Sequence, residues 1–157
     1  MRAYGKHAVF AALIATAACG GGSSPTGPQP GSASPGTMTA QVNGAAWTAT
    51  VVKRAFFSSG LLTVQGSDGS RIITIVVRTS TTGSFSLAVG NGLGHNALYT
   101  VVPACNWATG LGGSGTVTIS AISASNVSGT FSFTGISNIS GTAPATITNG
   151  QFNLPIG

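Results

Sequence analysis

Two side chains that could form a nucleophile and its base lie ten residues apart, at His95 and Cys105. A base within hydrogen-bond reach of a cysteine raises its thiolate fraction, which is the chemistry of cysteine-dependent hydrolysis. This spacing matches no catalytic signature, and no carboxylate lies nearby in the sequence to orient the imidazole. We therefore expect no enzymatic activity, and we expect Cys105 to be a small core residue.

Carboxylate chemistry is limited by a single acidic residue. The 157 residues include six Lys or Arg and one Asp or Glu, Asp68, so 4% are charged, against roughly 25% in an ordinary domain. Glycoside hydrolysis and aspartic proteolysis each need two carboxylates, which this chain cannot supply by itself. Asp68 stands in Ser67-Asp68-Gly69-Ser70, where its side chain is expected to brace a turn.

Binding sites for metals, cofactors and nucleic acids are not indicated. A metal site needs several convergent ligands, whereas Asp68, His95 and Cys105 are dispersed along the chain. Nucleic-acid binding needs a basic stripe, and the cations after residue 36 are scattered. These cations are Lys53, Arg54, Arg71 and Arg78. We expect no cofactor, no metal and no nucleic-acid partner.

Three aromatic residues could line a ligand pocket: Trp47, Tyr99 and Trp107. Such residues more often fill the core of a β domain, which is what we expect here. Because aromatic faces bind sugars and apolar ligands, the alternative is a pocket for a small apolar or glycan ligand.

Residues 1–18 are predicted to be a signal peptide. Arg2 and Lys6 precede the apolar stretch from Ala8 to Ala18, which is too short to cross a bilayer as a helix. The residues Thr16-Ala17-Ala18 before Cys19 resemble the lipobox of bacterial lipoproteins. The resemblance implies cleavage by signal peptidase II after Ala18, a diacylglycerol on the Cys19 sulfur, and acylation of the new amine. An ordinary secretory signal with an incidental Cys19 is the alternative.

Residues 19–36 are predicted to be the lipidated Cys19 and a tether. The seventeen residues after Cys19 contain six Gly, four Pro and four Ser and no charge, a composition typical of a flexible linker. In lipoproteins of enteric type, Asp after the Cys retains the protein in the inner membrane. Gly20 stands there instead. This favours the outer membrane of a Gram-negative-type bacterium and leaves open which face displays the protein.

Residues 37–157 are predicted to form one all-β domain, because β-branched residues and alternation recur throughout. Asn43-Gly44 and Asn149-Gly150 favour hairpin turns. About nine or ten short strands indicate an antiparallel β-sandwich, with a small closed antiparallel β-barrel as the alternative. The predicted strands are Thr39–Val42, Ala46–Val51 with an extension to Phe57, Leu61–Gln65, Ile72–Arg78, Gly83–Val89, Asn96–Val102, Thr116–Ala124, Val127–Thr134, Ala143–Thr148 and Gln151–Leu154.

Four segments of this domain resemble an uncharacterised family of bacterial lipoprotein domains, the DUF6252-like group. They are Val42-Asn43-Gly44 with Trp47, Gly113 to Ile119, Ser128 to Phe133, and Ile147 to Phe152. The resemblance implies an all-β domain behind a lipoprotein signal, and it implies no activity. We therefore expect a lipid-anchored cell-envelope protein that is a binding or structural module, held at the membrane by its anchor, with a protein or glycan partner.

Overall fold

A computed structural model describes residues 33–90, 92–103 and 105–157. The predicted signal peptide, Cys19 and most of the predicted tether lie outside the described residues. Ala33 and Gly36, at the end of that tether, already contact the folded domain. The Gly36 amide donates to the carbonyl of Asn153 over 2.7 Å, and the Asn153 side chain donates to the Ala33 carbonyl.

Eleven strands and one short 3₁₀ turn, Thr109–Leu111, make up the described regular structure. The strands are β1 (Thr37–Val42), β2 (Ala45–Thr48), β3 (Val52–Ser58), β4 (Leu61–Ser67), β5 (Arg71–Arg78), β6 (Gly83–Ser86), β7 (Asn96–Val101), β8 (Cys105–Ala108), β9 (Ser114–Ile122), β10 (Asn126–Ser137) and β11 (Ala145–Pro155). The all-β prediction is confirmed. No helix among the described residues is long and apolar enough to cross a membrane.

The strands join into one curled antiparallel sheet. Its first half consists of β6, β9, β10, β11, β1 and β2 in spatial order, and its second half of β8, β7, β5, β4 and β3. Strand β10 belongs to both halves, because its beginning pairs with β9 and β11 while Ile136 and Ser137 pair with β8. The sheet curls into a half-barrel, and its two halves enclose a single core. A parallel bridge between Ala55 and Ile156 connects β3 to the end of β11.

The core lies between the two halves and is built by alternation along the strands. In β1 every second residue is buried, beginning with Met38, and the residues between them are half-buried. Gly66 of β4 faces this strand so closely that an added Cβ would stand 2.6 Å from the Met38 sulfur and 3.0 Å from the Trp47 ring. Close packing across the two halves therefore depends on a residue without a side chain at Gly66.

The predicted hairpin at Asn149-Gly150 is wrong. Strand β11 runs without a break through both residues, and the register shifts there against both of its neighbours. Asn149 adopts a φ of 51°, which places an extra residue in the strand as a bulge. The strand continues because β1 and β10 flank it on both sides and supply its hydrogen-bond partners.

One further prediction about strands needs correction. The second predicted strand was to continue to Phe57, but β2 ends at Thr48 and β3 begins at Val52 in the other half of the sheet. At the crossing, the amides of Thr50 and Val51 both donate to the Ser67 carbonyl. The predicted strand Ile72–Arg78 is confirmed as β5, in which full burial alternates with partial burial from Ile73 to Val77. Strand β8 was not predicted at all.

Candidate functional site

His95 and Cys105 do not meet. Strand β7 begins directly after His95, and its last residue, Val101, pairs with Cys105 on β8. Five residue steps of about 3.3 Å separate the two ends of β7 by about 17 Å. His95 is buried against Phe85, with its Nδ1 3.2 Å from the Ser86 carbonyl oxygen. A nucleophile–base pair between these two side chains is excluded by this distance.

Asp68 braces the β4–β5 turn, as predicted. Its Oδ1 accepts hydrogen bonds from the Ser70 and Arg71 amides over 3.0 and 2.7 Å, and its Oδ2 pairs with the Arg71 guanidinium at 2.7 Å. Burial raises the pKa of the Asp68 carboxyl, but the hydrogen bonds from Arg71 and Ser70 outweigh this effect and hold the pKa below its usual value. The single carboxylate is therefore engaged in holding a turn.

The three aromatic candidates lie on the inner side of the sheet and do not form a shared pocket. Trp47 is 2% exposed in the core. Tyr99 and Trp107 are direct partners on β7 and β8, with ring centroids 5.4 Å apart, and Trp107 donates from Nε1 to the Ala143 carbonyl. Trp47 and Tyr99 fill the interior, and the half-buried Trp107 packs against it. Among the described residues, no group of three or more His, Cys, Asp or Glu could hold a metal ion.

The outer face of the first half of the sheet carries a continuous row of uncharged polar residues, which we call the polar row. Each member pairs with the next across neighbouring strands, so the row crosses all six strands of this half. At about 4.8 Å per strand, its length is about 24 Å. In spatial order the polar row consists of Ser84, Thr118, Thr130, Gln151, Thr39 and Thr48.

A groove of about 240 Å³ lies on the polar row where it crosses β9, β10 and β11. None of its eight lining residues is ionisable. They are Thr116, Thr118, Thr130, Phe131, Ser132, Asn149, Gly150 and Gln151. The bulge of β11 shapes one wall, since Asn149 projects there and donates to the Gln41 side chain over 3.0 Å. The groove therefore owes its wall to the same irregularity that replaces the predicted hairpin.

Gln151 stands at the centre of this arrangement. It pairs with Thr39 on one side and with Thr130 on the other, and it is only 6% exposed although it lies on the outer face. Its side-chain amide has no hydrogen-bond partner in the part of the chain that the structure describes, yet neither amide atom is among the fully buried atoms that lack one, so both reach solvent at the groove. The amide therefore offers a donor and an acceptor to solvent or to a ligand.

The polar row and Gln151 cannot be singled out from the sequence. A local signal exists in the repeated pairs of Thr or Ser two residues apart, as at Thr116 with Thr118 and Thr130 with Ser132. Such pairs show that a strand has a polar face. Which residues of different strands form one row depends on the register, and the sequence does not specify the register.

Residues 34–154 match the family model described as Domain of unknown function (DUF6252). The match covers well over half of the chain, which therefore belongs to this family, as the resemblance of its four segments indicated. No curated protein and no solved structure matches the chain.

Proposed function

We propose that this member of the DUF6252 family is a lipid-anchored protein of the bacterial cell envelope whose β domain binds a partner and does not catalyse a reaction. One observation carries the second part of the proposal. The side chains that could perform acid, base or nucleophilic chemistry lie apart, whereas uncharged hydroxyl and amide side chains converge on one face. The polar row is the binding surface in this proposal.

The anchor rests on the sequence around Cys19. A cysteine preceded by small residues and an apolar stretch fits lipoprotein processing, which attaches two or three acyl chains. One acyl chain gives only marginal membrane binding, and a second makes it stable. The composition of residues 20–36 supports a tether between the anchor and the domain. Gly20 supports sorting to the outer membrane of a Gram-negative-type bacterium.

Membrane fractionation of the Cys19→Ser variant tests the anchor. Wild-type protein is expected in the membrane pellet and to resist extraction by high salt, because acyl chains and not charges hold it. The variant lacks the acylated sulfur and is expected to lose this salt-resistant association. Cys105→Ser serves as the matched control and should fractionate like the wild type. Equal retention of the Cys19→Ser variant and the wild type would refute the proposal.

A further inference from the structure

We propose that the groove around Gln151 binds one sugar unit of an uncharged glycan that lies along the polar row. This inference rests on the proposed function, in which the polar row is the binding surface, and names the ligand class for it. Gln151 is 6% exposed, its side chain makes no hydrogen bond within the described residues, and its amide atoms reach solvent at the groove. A ligand that takes the place of this solvent must offer both a donor and an acceptor.

The lining of the groove selects against charged and apolar ligands. It provides no cation for a phosphate or carboxylate and no carboxylate for a metal or amine. The hydroxyls of Thr130 and Ser132 can each donate one hydrogen bond and accept others, while the Thr118 hydroxyl shares a hydrogen bond with Ser84 over 2.8 Å, so the groove presents donors and acceptors side by side. Neutral polyhydroxylated molecules present the same mixture around a sugar ring. An uncharged glycan is the ligand class whose chemistry fits.

The size of the groove fits one unit and not a whole oligosaccharide. Its volume of about 240 Å³ lies below the roughly 300 Å³ at which pockets for drug-sized ligands begin. The groove is open, and the polar row continues beyond it through Thr39 to Thr48 on one side and through Thr118 to Ser84 on the other. A longer chain could therefore extend along the row and make further hydrogen bonds to it.

Affinity for a single sugar should be weak. The only aromatic ring in the lining, Phe131, is 3% exposed and lies beneath Gly150, so it offers no open face for stacking. Hydrogen bonds formed in exchange for water add little individually. Repeated units raise the apparent affinity because neighbouring units bind at high effective concentration. Binding is therefore expected to strengthen as the oligosaccharide lengthens.

The test is a ligand-observed NMR titration of the full lipidated protein in detergent micelles. The probes are gluco-oligosaccharides and N-acetylglucosamine oligomers of one to six units, with acidic oligogalacturonates as the charged comparison. Gln151→Leu removes the amide and should weaken binding of a neutral hexamer at least tenfold. Gln65→Leu is the matched control, since Gln65 lies in the second half of the sheet and hydrogen-bonds Arg54 and Thr74. It should bind like the wild type.

Thr130→Val keeps the inference testable if Gln151→Leu fails to fold. It removes one hydroxyl from the groove with little change of shape, and it should weaken binding severalfold. The inference is overturned if no neutral oligomer binds, if acidic oligomers bind better, or if folded groove variants bind like the wild type. Each of these results would leave the lipid anchor unaffected, because the anchor is measured by fractionation of the Cys19→Ser variant. Likewise, loss of membrane association in the Cys19→Ser variant would not affect the interpretation of the sugar titration.

Discussion

Gly150 fits beneath the bulge of β11 only because it has no side chain. A Cβ added there would stand 2.5 Å from two ring carbons of Phe131 and 2.6 Å from a third. Carbon atoms in contact prefer about 3.5–4.0 Å, so the ring would have to retreat by about 1 Å. Phe131 cannot do so easily, because Phe133 and Phe152 lie at centroid distances of 6.4 and 6.2 Å.

Gly150→Ala is therefore expected to lower the free energy of unfolding by about 1–3 kcal/mol, the usual cost of overpacking a core. Removing a glycine also restricts the unfolded chain, which offsets roughly 0.4–1 kcal/mol of this loss. For a domain of this size, 1 kcal/mol corresponds to about 4 °C in Tm. The net loss is then at most about 2.6 kcal/mol, so thermal unfolding of the variant should show a fall of up to about 10 °C in Tm, and urea unfolding a lower midpoint.

A double-mutant cycle with Phe131→Leu isolates the cause. Leucine lacks the ring atoms that the new Cβ would meet. The loss of unfolding free energy in the double variant should therefore be smaller than the sum of the two single losses by about 1 kcal/mol or more. A hairpin at Asn149-Gly150 would also make glycine preferable there, but its effect would not depend on Phe131. Additivity within about 0.5 kcal/mol would refute the bulge and its packing.

Two other substitutions test the sheet and its turn. Gly129→Ala should destabilise the domain more than Gly150→Ala, because the added Cβ would stand 2.1 Å from the backbone carbonyl oxygen of Thr118, which cannot rotate away. A smaller fall in Tm than for Gly150→Ala would contradict the β9–β10 pairing. Asp68→Asn should lower Tm most above about pH 5. The pKa of the Asp68 carboxyl is lower in the folded than in the unfolded chain, so the ionised carboxylate stabilises the fold above the unfolded pKa. This stability is lost as the pH falls through the folded pKa. Melting curves from pH 2 to 7 should show the difference between variant and wild type shrinking below about pH 4, and a difference independent of pH would contradict the role of the ionised carboxylate.

Local patterns in the sequence predict most strands but not their spatial partners. Asn43-Gly44 forms the predicted turn between β1 and β2, with positive φ at both residues. The chain can reverse there because β2 is the last strand at this edge of the sheet. The same dipeptide at Asn149-Gly150 becomes a bulge, because β11 is held between two neighbours. The Asn-Gly signal therefore predicts the turn correctly at the edge of the sheet and incorrectly in its interior.

The candidate site shows the same difference between what local sequence patterns predict and which residues become spatial partners. The spacing of His95 and Cys105 already argued against a Cys–His pair, and the length of β7, about 17 Å, gives the physical reason why they lie apart. Gln151 could not be singled out, because its burial comes from Thr39 and Thr130 on strands that are distant in sequence. Strand β8 was missed since Cys105–Ala108 has only four residues and gains its partners from β7 and β10.

The intact mass of the protein extracted from membranes shows whether the domain is lipid-anchored. We expect a chain that begins at Cys19, lacks residues 1–18 and carries the mass of a diacylglycerol plus an N-linked acyl chain. A thiol-alkylating reagent should modify only one thiol after unfolding, that of Cys105, because the Cys19 sulfur is blocked by its thioether to the diacylglycerol. A chain that begins at another residue, or one that begins at Cys19 without acyl chains, would contradict the lipid anchor.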